Sequence, residues 1–241
     1  MKKITFLLML ILGLSVLIYG QTTIDFETEG AGYTPSATEG TGDTDVFNRS
    51  NPNIGGNSTY MWSVEDINLA DPYILLDQID ISGATTFTFS IDMIAHHFND
   101  WDNSDELQIT YSVDGGGYQN LMWVENPGGT FNETAALDTD FDGDGECTYV
   151  LPSLTTGTAG CTSSTSTFET FSTGPIAISG STLDITLQFY GLTSTDEGIY
   201  LDNIVITPSS SSNANPNITN ILYTPVKDLS ATYLPTSQAF L

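Results

Sequence analysis

Carboxylates recur at alternate positions in Asp138-Thr139-Asp140-Phe141-Asp142-Gly143-Asp144-Gly145-Glu146. Asp138, Asp140, Asp142 and Asp144 stand where the first half of an EF-hand-like loop places its oxygen ligands, and Gly143 holds the sixth position, where such a loop turns sharply. Hard oxygen donors at that spacing can converge on one calcium ion. The twelfth position is Tyr149 instead of a bidentate Glu, and no helical pattern flanks the segment, so a site here must be completed from elsewhere in the chain. The alternative is a solvated acidic loop. Cys147 and Cys161, the only two cysteines, adjoin it. Joined in an oxidising compartment they would rigidify the acidic segment, closing a loop of about 15 residues for roughly 3 kcal/mol. Two free thiols are the other possibility, and zinc ligation is disfavoured because the pair lacks CxxC spacing and both histidines lie far away in sequence.

The second cluster is His96-His97-Phe98-Asn99-Asp100-Trp101-Asp102-Asn103-Ser104-Asp105, which contains both histidines of the chain. Neighbouring strand residues point to opposite faces, so His96 and His97 share an ion only where the strand has already ended. Asp100, Asp102 and Asp105 could coordinate calcium, and Trp101 could stack on a flat sugar face whose hydroxyls pair with Asp and Asn. The reading favoured for Trp101, however, is that it simply packs the loop. Trp62 and Trp123 lie in strand-like runs and read as core or sheet-surface residues, while the period alone does not place Tyr118 or Tyr190.

Catalysis finds little support. There is no GxSxG elbow, no HExxH motif and no Glu-x-Asp-x-x-Glu run on one strand face. Sugar hydrolysis needs two carboxylates about 5 to 10 Å apart, but with 30 acidic residues such a pair is imaginable anywhere and so carries no signal. The chain reads as a non-enzyme.

Charge excludes more than any motif. Beyond the first twenty residues, 30 acidic side chains face only Arg49 and Lys227. A nucleic-acid surface needs clustered Lys and Arg to displace counterions, so nucleic acid is excluded as a partner. Carboxylates in this excess repel one another unless solvated, screened or bridged by a cation, which makes calcium the expected ion.

The elements that must position these groups are strands. Phe87, Phe89, Ile91 and Met93 alternate with Thr88, Ser90 and Asp92; Leu107, Ile109, Tyr111 and Val113 alternate with Gln108, Thr110 and Ser112; Leu183, Ile185, Leu187 and Phe189 alternate with Asp184, Thr186 and Gln188. Asp114-Gly115-Gly116-Gly117 marks a tight hairpin turn. Further strands are expected at Thr23–Glu27, Tyr60–Val64, Tyr73–Ile81, Phe168–Ser172 and Ile199–Thr207. No stretch carries a helical stripe, and the pattern predicts an all-β fold, a two-sheet antiparallel β-sandwich of jelly-roll type.

Met1-Lys2-Lys3 followed by an apolar run over 4–18 and Tyr19-Gly20 has the order of a secretory signal peptide, assigned to 1–20. The run is shorter than the ~20 residues a membrane span needs, so no membrane insertion is expected after cleavage. The sandwich is expected over 21–207. A Ser/Asn/Pro linker follows at 208–217, then a tail or the start of a further module at 218–241, which implies further domains of the same protein.

Three segments resemble jelly-roll modules of large surface proteins of Gram-negative bacteria, similar to cleaved-adhesin and MAM-like domains. They are Ile24-Asp25-Phe26-Glu27, the run from Asp105 to Gly116 (Asp-Glu-Leu-Gln-Ile-Thr-Tyr-Ser-Val-Asp-Gly-Gly), and Gly198-Ile199-Tyr200-Leu201-Asp202-Asn203-Ile204-Val205-Ile206. The resemblance spans roughly 23–207 and implies a structural calcium shared by Glu27 and Asp202. It also implies a secreted or cell-surface location in a Gram-negative bacterium. The function expected is a non-catalytic, calcium-stabilised module for cell adhesion or for binding a polysaccharide or cell-surface glycan. The alternative is a structural or accessory N-terminal domain of a larger secreted enzyme, a hydrolase or nuclease.

Overall fold

The computed structural model of the chain describes residues 20–40, 45–98, 100–128, 134–155, 161 and 165–210. The expected signal run at 1–19, the linker residues 211–217 and the 218–241 tail lie outside the described residues.

Among the described residues the chain forms β1 (Thr22–Ile24), β2 (Tyr33–Pro35), β3 (Val46–Ser50), β4 (Met61–Glu65), β5 (Tyr73–Leu76), β6 (Ile79–Asp80) and β7 (Thr86–Ala95). These are followed by β8 (Glu106–Val113), β9 (Gln119–Glu125), β10 (Ala136–Asp138), β11 (Glu169–Ser172), β12 (Ile176–Ala177), β13 (Thr182–Tyr190) and β14 (Gly198–Ser209). A single 3-10 turn, Cys147–Tyr149, lies between β10 and β11. The strands build two antiparallel sheets. The first has the order β11-β7-β14-β4-β3, with β1 on β14 and β12 on β7; the second has the order β10-β9-β8-β13-β5-β2, with β6 on β13. This is the antiparallel β-sandwich of jelly-roll type that the alternation predicts.

The alternation works as expected because one face of each long strand meets the other sheet. Phe87, Phe89, Ile91 and Met93 of β7, Leu107 and Ile109 of β8, and Leu183, Ile185, Leu187 and Phe189 of β13 are all buried in one core. Trp62 lies within this core and takes edge or tilted aromatic contacts from Phe47 at 5.0 Å, Tyr33 at 5.7 Å and Phe26 at 6.1 Å. Each large apolar side chain removed from water contributes about 1.5–3 kcal/mol. The turn expected after β8 is present, with Asp114 and Gly115 both at positive φ (51° and 66°), as a tight hairpin requires.

The outer faces of the two sheets differ. On the first sheet, Met61, Ile94 and Tyr200 are buried beneath Ile54, Leu154 and Phe168, so loops cover part of that face. All five residues of β4 are therefore buried, which hides its alternation. On the second sheet the burial of β5 reads exposed, buried, exposed, buried, and that outer face stays open.

Two boundaries move. The expected strand Tyr73–Ile81 divides into β5 and β6, and β14 runs past Thr207, with Pro208 opposite Phe87 and Ser209 opposite Thr86. The chain leaves the sheet at Ser209, two residues inside the segment expected to be linker.

Candidate functional site

The open face of the second sheet carries a continuous row of side chains fixed by register. Asp138 of β10 stands opposite Trp123 of β9, Trp123 opposite Gln108 of β8, Gln108 opposite Gln188 of β13, and Gln188 opposite Tyr73 of β5. The neighbouring row is Asn120, Thr110, Thr186 and Leu75. Tyr118, in the turn before β9, and Tyr190, at the end of β13, flank these rows. Together they form an open groove of about 420 Å³ lined by Tyr73, Leu75, Gln108, Thr110, Tyr118, Thr186, Gln188 and Tyr190. Tyr118 is 65% exposed and Tyr73 41%, so both offer ring faces to solvent. At strand spacings near 4.8 Å, the row from β9 to β5 crosses about 14 Å of surface, the acidic loop covering Asp138 at its end.

One end of the groove is acidic. Tyr190 pairs with Glu106, and Leu107 pairs with Val124, which sets Glu106 and Glu125 at the next step of the β8–β9 ladder. Burial, then the charge of Glu106 and those of Asp138, Asp144 and Asp142, pushes the Glu125 carboxyl up to about 8. Burial also raises Glu106, which accepts a hydrogen bond from Gln108 Nε2 at 2.7 Å.

The acidic loop borders this end. Asp138 is fully buried and organises the loop: its Oδ1 accepts N–H bonds from Phe141 (2.5 Å) and Asp140 (3.2 Å), and its Oδ2 accepts from Gly143 (3.0 Å). Such a carboxylate accepting backbone N–H groups fixes a turn. Asp138, Asp140 and Asp142 each bring an oxygen within 4.8 Å of the others. Asp144, the fourth expected ligand, stands outside that group; its N–H donates to Asp142 Oδ1 at 3.2 Å. Desolvation raises Asp140, and the charges of Asp142 and Asp138 raise it further, a repulsion that a cation would relieve. Phe141 packs edge-on against Trp123 at 5.3 Å, so the acidic loop and the aromatic row touch. Cys147 and Cys161 form the expected disulfide, which ties the segment after the loop back to the domain.

The 96–105 cluster bears out the packing reading of Trp101 but divides the acids expected to share an ion. Trp101 has 0% exposure, donates from Nε1 to the Gly198 carbonyl at 3.4 Å, and has its own carbonyl bonded by Asn126 Nδ2 at 2.6 Å. It packs the loop and offers no face to a sugar. Its inward turn also separates the acids on either side, so Asp100, Asp102 and Asp105 do not converge on one ion. Asp100 lies with His97 and Asp196, whereas Asp102 and Asp105 lie with Glu197. Asp105 is buried and accepts N–H bonds from Leu192 and Asp102, both at 2.7 Å. Burial pushes its carboxyl up to about 7 in spite of those bonds. Gly191 at φ 63° is required here, since an added Cβ would meet the Ser104 carbonyl at 2.3 Å.

The structure brings Glu27 and Asp202 near enough for Glu27 to raise Asp202, after the larger effects of burial and Asp92, to about 6. Both carboxylates already have partners: Asp202 Oδ2 accepts from Asn57 Nδ2 at 2.6 Å, and Glu27 Oε1 accepts from the Tyr60 N–H at 2.9 Å. Beside Asp202 is a second concavity of about 500 Å³, lined in part by Asp92, Asn57 and Asn203. Arg49, the only Lys or Arg among the described residues, donates to the carbonyls of Phe26 and Glu27 and lies over the Tyr60 ring at 3.5 Å.

Sequence reasoning missed the groove. Its outward residues were legible as the polar half of each alternation, but which strands lie side by side was not.

No protein-family model matches the chain, and no curated protein matches it. Solved structures of similar fold include a carbohydrate-binding module of Caldicellulosiruptor saccharolyticus, CBM27-1 in complex with mannohexaose. It is 15% identical at a TM-score of 0.41, covering 80% of this chain and 100% of that one. The CBM22-1–GH10 modules of Clostridium thermocellum endo-1,4-β-D-xylanase 10B, complexed with xylohexaose, are 12% identical at a TM-score of 0.40. Here 80% of this chain is covered, and it spans only 29% of the xylanase chain. The K3 cleaved adhesin domain of Lys-gingipain from Porphyromonas gingivalis is 19% identical at a TM-score of 0.34, covering 78% of this chain and 90% of that one. These neighbours are carbohydrate-binding modules and an adhesin domain, and the likeness is one of fold. No helix among the described residues is long and apolar enough to cross a membrane.

Proposed function

We propose that this domain is a non-catalytic, secreted or surface-borne module of a Gram-negative bacterium. It binds a polysaccharide or cell-surface glycan along the open face of the second sheet, with calcium held by the Asp138, Asp140 and Asp142 loop at the groove's end. The observation that carries the reading is the groove itself: exposed Tyr73 and Tyr118 beside Gln108, Gln188, Thr110 and Thr186. Sugar rings present apolar C–H faces and a rim of hydroxyls, and this lining matches both, with aromatic faces for stacking and amides and hydroxyls for hydrogen bonds. The groove is open at the surface, as an extended chain requires. Glu106 and the acidic loop crowd one end, so a neutral polysaccharide is favoured over an acidic one by simple repulsion. Calcium suits the loop because its donors are hard oxygens, and it would relieve the repulsion that raises Asp140 and Glu125.

The test is binding of the full chain to neutral and acidic polysaccharides by affinity electrophoresis, with calcium and with EDTA. Saturable binding of a neutral polysaccharide is expected, weakened about tenfold by Tyr118→Ala or Tyr73→Ala, in line with the loss of one stacked aromatic. Binding untouched by either variant, or confined to acidic polysaccharides, would overturn the groove assignment. Absence of all binding would leave a spacer or accessory role beside another domain.

A further inference from the structure

Both histidines of the chain sit at one corner of the first sheet. β7 stops at Ala95, so His96 and His97 leave the pleat that would have sent them to opposite faces, and their rings lie edge to face at 5.9 Å. His97 Nδ1 is 2.5 Å from Asp100 Oδ2. His96 Nδ1 is 3.3 Å from Glu65 Oε1 and 3.8 Å from Asp196 Oδ1. His97, Asp100 and Asp196 each place a donor atom within 4.8 Å of the others, which makes Asp196 the neighbour common to both imidazoles. His96 Nδ1 is shielded from water and makes no well-aligned hydrogen bond, although the Glu65 and Asp196 carboxylates both approach it. An imidazole nitrogen held beside carboxylates without a well-aligned hydrogen bond is unfavourable unless something binds it.

The donor chemistry identifies what that is. Calcium and magnesium take oxygen ligands, whereas two imidazoles with two carboxylates suit zinc and its first-row neighbours. We propose that this corner binds a transition-metal ion of the zinc class, with His97, Asp100 and Asp196 as ligands and His96 Nδ1 as the fourth donor. Zinc–ligand bonds of about 2.0–2.2 Å put tetrahedral ligand atoms roughly 3.3 Å apart, close to the spacing of the His97, Asp100 and Asp196 donors, which lie within 4.8 Å of one another. Glu65, held by the Tyr200 hydroxyl at 2.9 Å, adds a buried negative charge beside His96. Asp196 stands at φ 79° in the turn before β14, and its side chain is 46% exposed, so the ion would face solvent on one side. It would join the loop after β7 to that turn, which the Trp101–Gly198 bond already links.

The experiment titrates the full chain with cobalt(II) and then zinc(II), in millimolar calcium to occupy hard-oxygen sites. One equivalent of cobalt with the intense visible absorption of a four-coordinate site is expected, displaced by zinc, and zinc should raise the melting temperature. His97→Gln and the exposed variant Asp196→Asn should each weaken zinc by at least about tenfold, while Asp140→Ala with Asp142→Ala leaves it unchanged. Zinc affinity unaltered in the His96→Gln, His97→Gln double variant would overturn the site. So would the absence of saturable binding in calcium. Asp196→Asn keeps the test decisive if the histidine variants fail to fold.

Discussion

The 138–146 loop and the corner built from 96–105 and 192–197 both concentrate acidic side chains, but they are assembled in opposite ways. In the loop, three carboxylates come from alternate positions of one short segment, and Asp138 alone bonds three of its N–H groups. A disulfide ties down the chain just beyond it. At the corner the donors come from segments far apart, joined by the bond from Leu192 to Asp105 across 87 residues. The contiguous loop offers one kind of donor, hard oxygen. The corner, being made by the fold, mixes imidazole with carboxylate and buries part of its charge.

The comparison can be broken most forcefully at the covalent tie. Cys147→Ser with Cys161→Ser should lower unfolding free energy by roughly 3 kcal/mol in a denaturant titration and shrink the calcium-induced rise in melting temperature. An undiminished calcium response would separate the bridge from the ion site.

Titration gives the next effect, because a strongly raised carboxyl stands at each region: Glu125 of β9, beside the loop, at about 8, and Asp105, in the corner, at about 7. A carboxyl raised on folding keeps its proton in the native state after the unfolded chain has lost it, from about pH 4 upward. The stability it contributes is full below that pH and is lost as pH rises through 7 and 8. Melting temperature should therefore fall between pH 5 and pH 8.5. Asp105→Asn should remove a fall that spans about pH 4 to 7, Glu125→Gln one that spans about pH 4 to 8, and calcium should restore more stability at pH 8 than at pH 5. A flat profile in the parent protein would contradict both assignments.

The smallest effect is the most local. Asp140→Ala with Asp142→Ala should reduce the calcium-induced shift by a few degrees without altering melting in EDTA, as followed by thermal unfolding. A shift equal to that of the parent would move calcium away from this loop.

The long strands were legible because burial on one face writes itself as period two, as in 87–93, 107–113 and 183–189. β2, β10 and β12 span two or three residues, too few to show any period, and β4 is buried on both faces. The same limit separates the two acidic regions. The loop's ligand spacing is a property of consecutive residues, so Asp138, Asp140 and Asp142 could be named from the sequence. Asp196 and Glu197 gave no signal, because only the approach of β14 to the end of β7 brings them to the histidine loop. Trp101 left two readings open, a sugar platform or the favoured loop-packing residue, and the backbone turns it inward as the second requires. The groove needed knowledge of strand neighbours, since Tyr73, Tyr118 and Tyr190 belong to three separate segments.

The pairing of β1 with β14 has a mechanical consequence. Thr22 lies opposite Ile206 and Ile24 opposite Ile204, so the strand that enters the domain and the strand that leaves it run side by side in opposite directions. A load applied between residues 22 and 209 pulls both strands from the same end, and their hydrogen bonds, perpendicular to the strands, take the tension one at a time instead of in parallel. Such an arrangement favours peeling over shearing when the two ends are pulled apart. In a chain stretched between two anchored points this domain would act as an extension element, yielding before any domain whose terminal strands must be sheared.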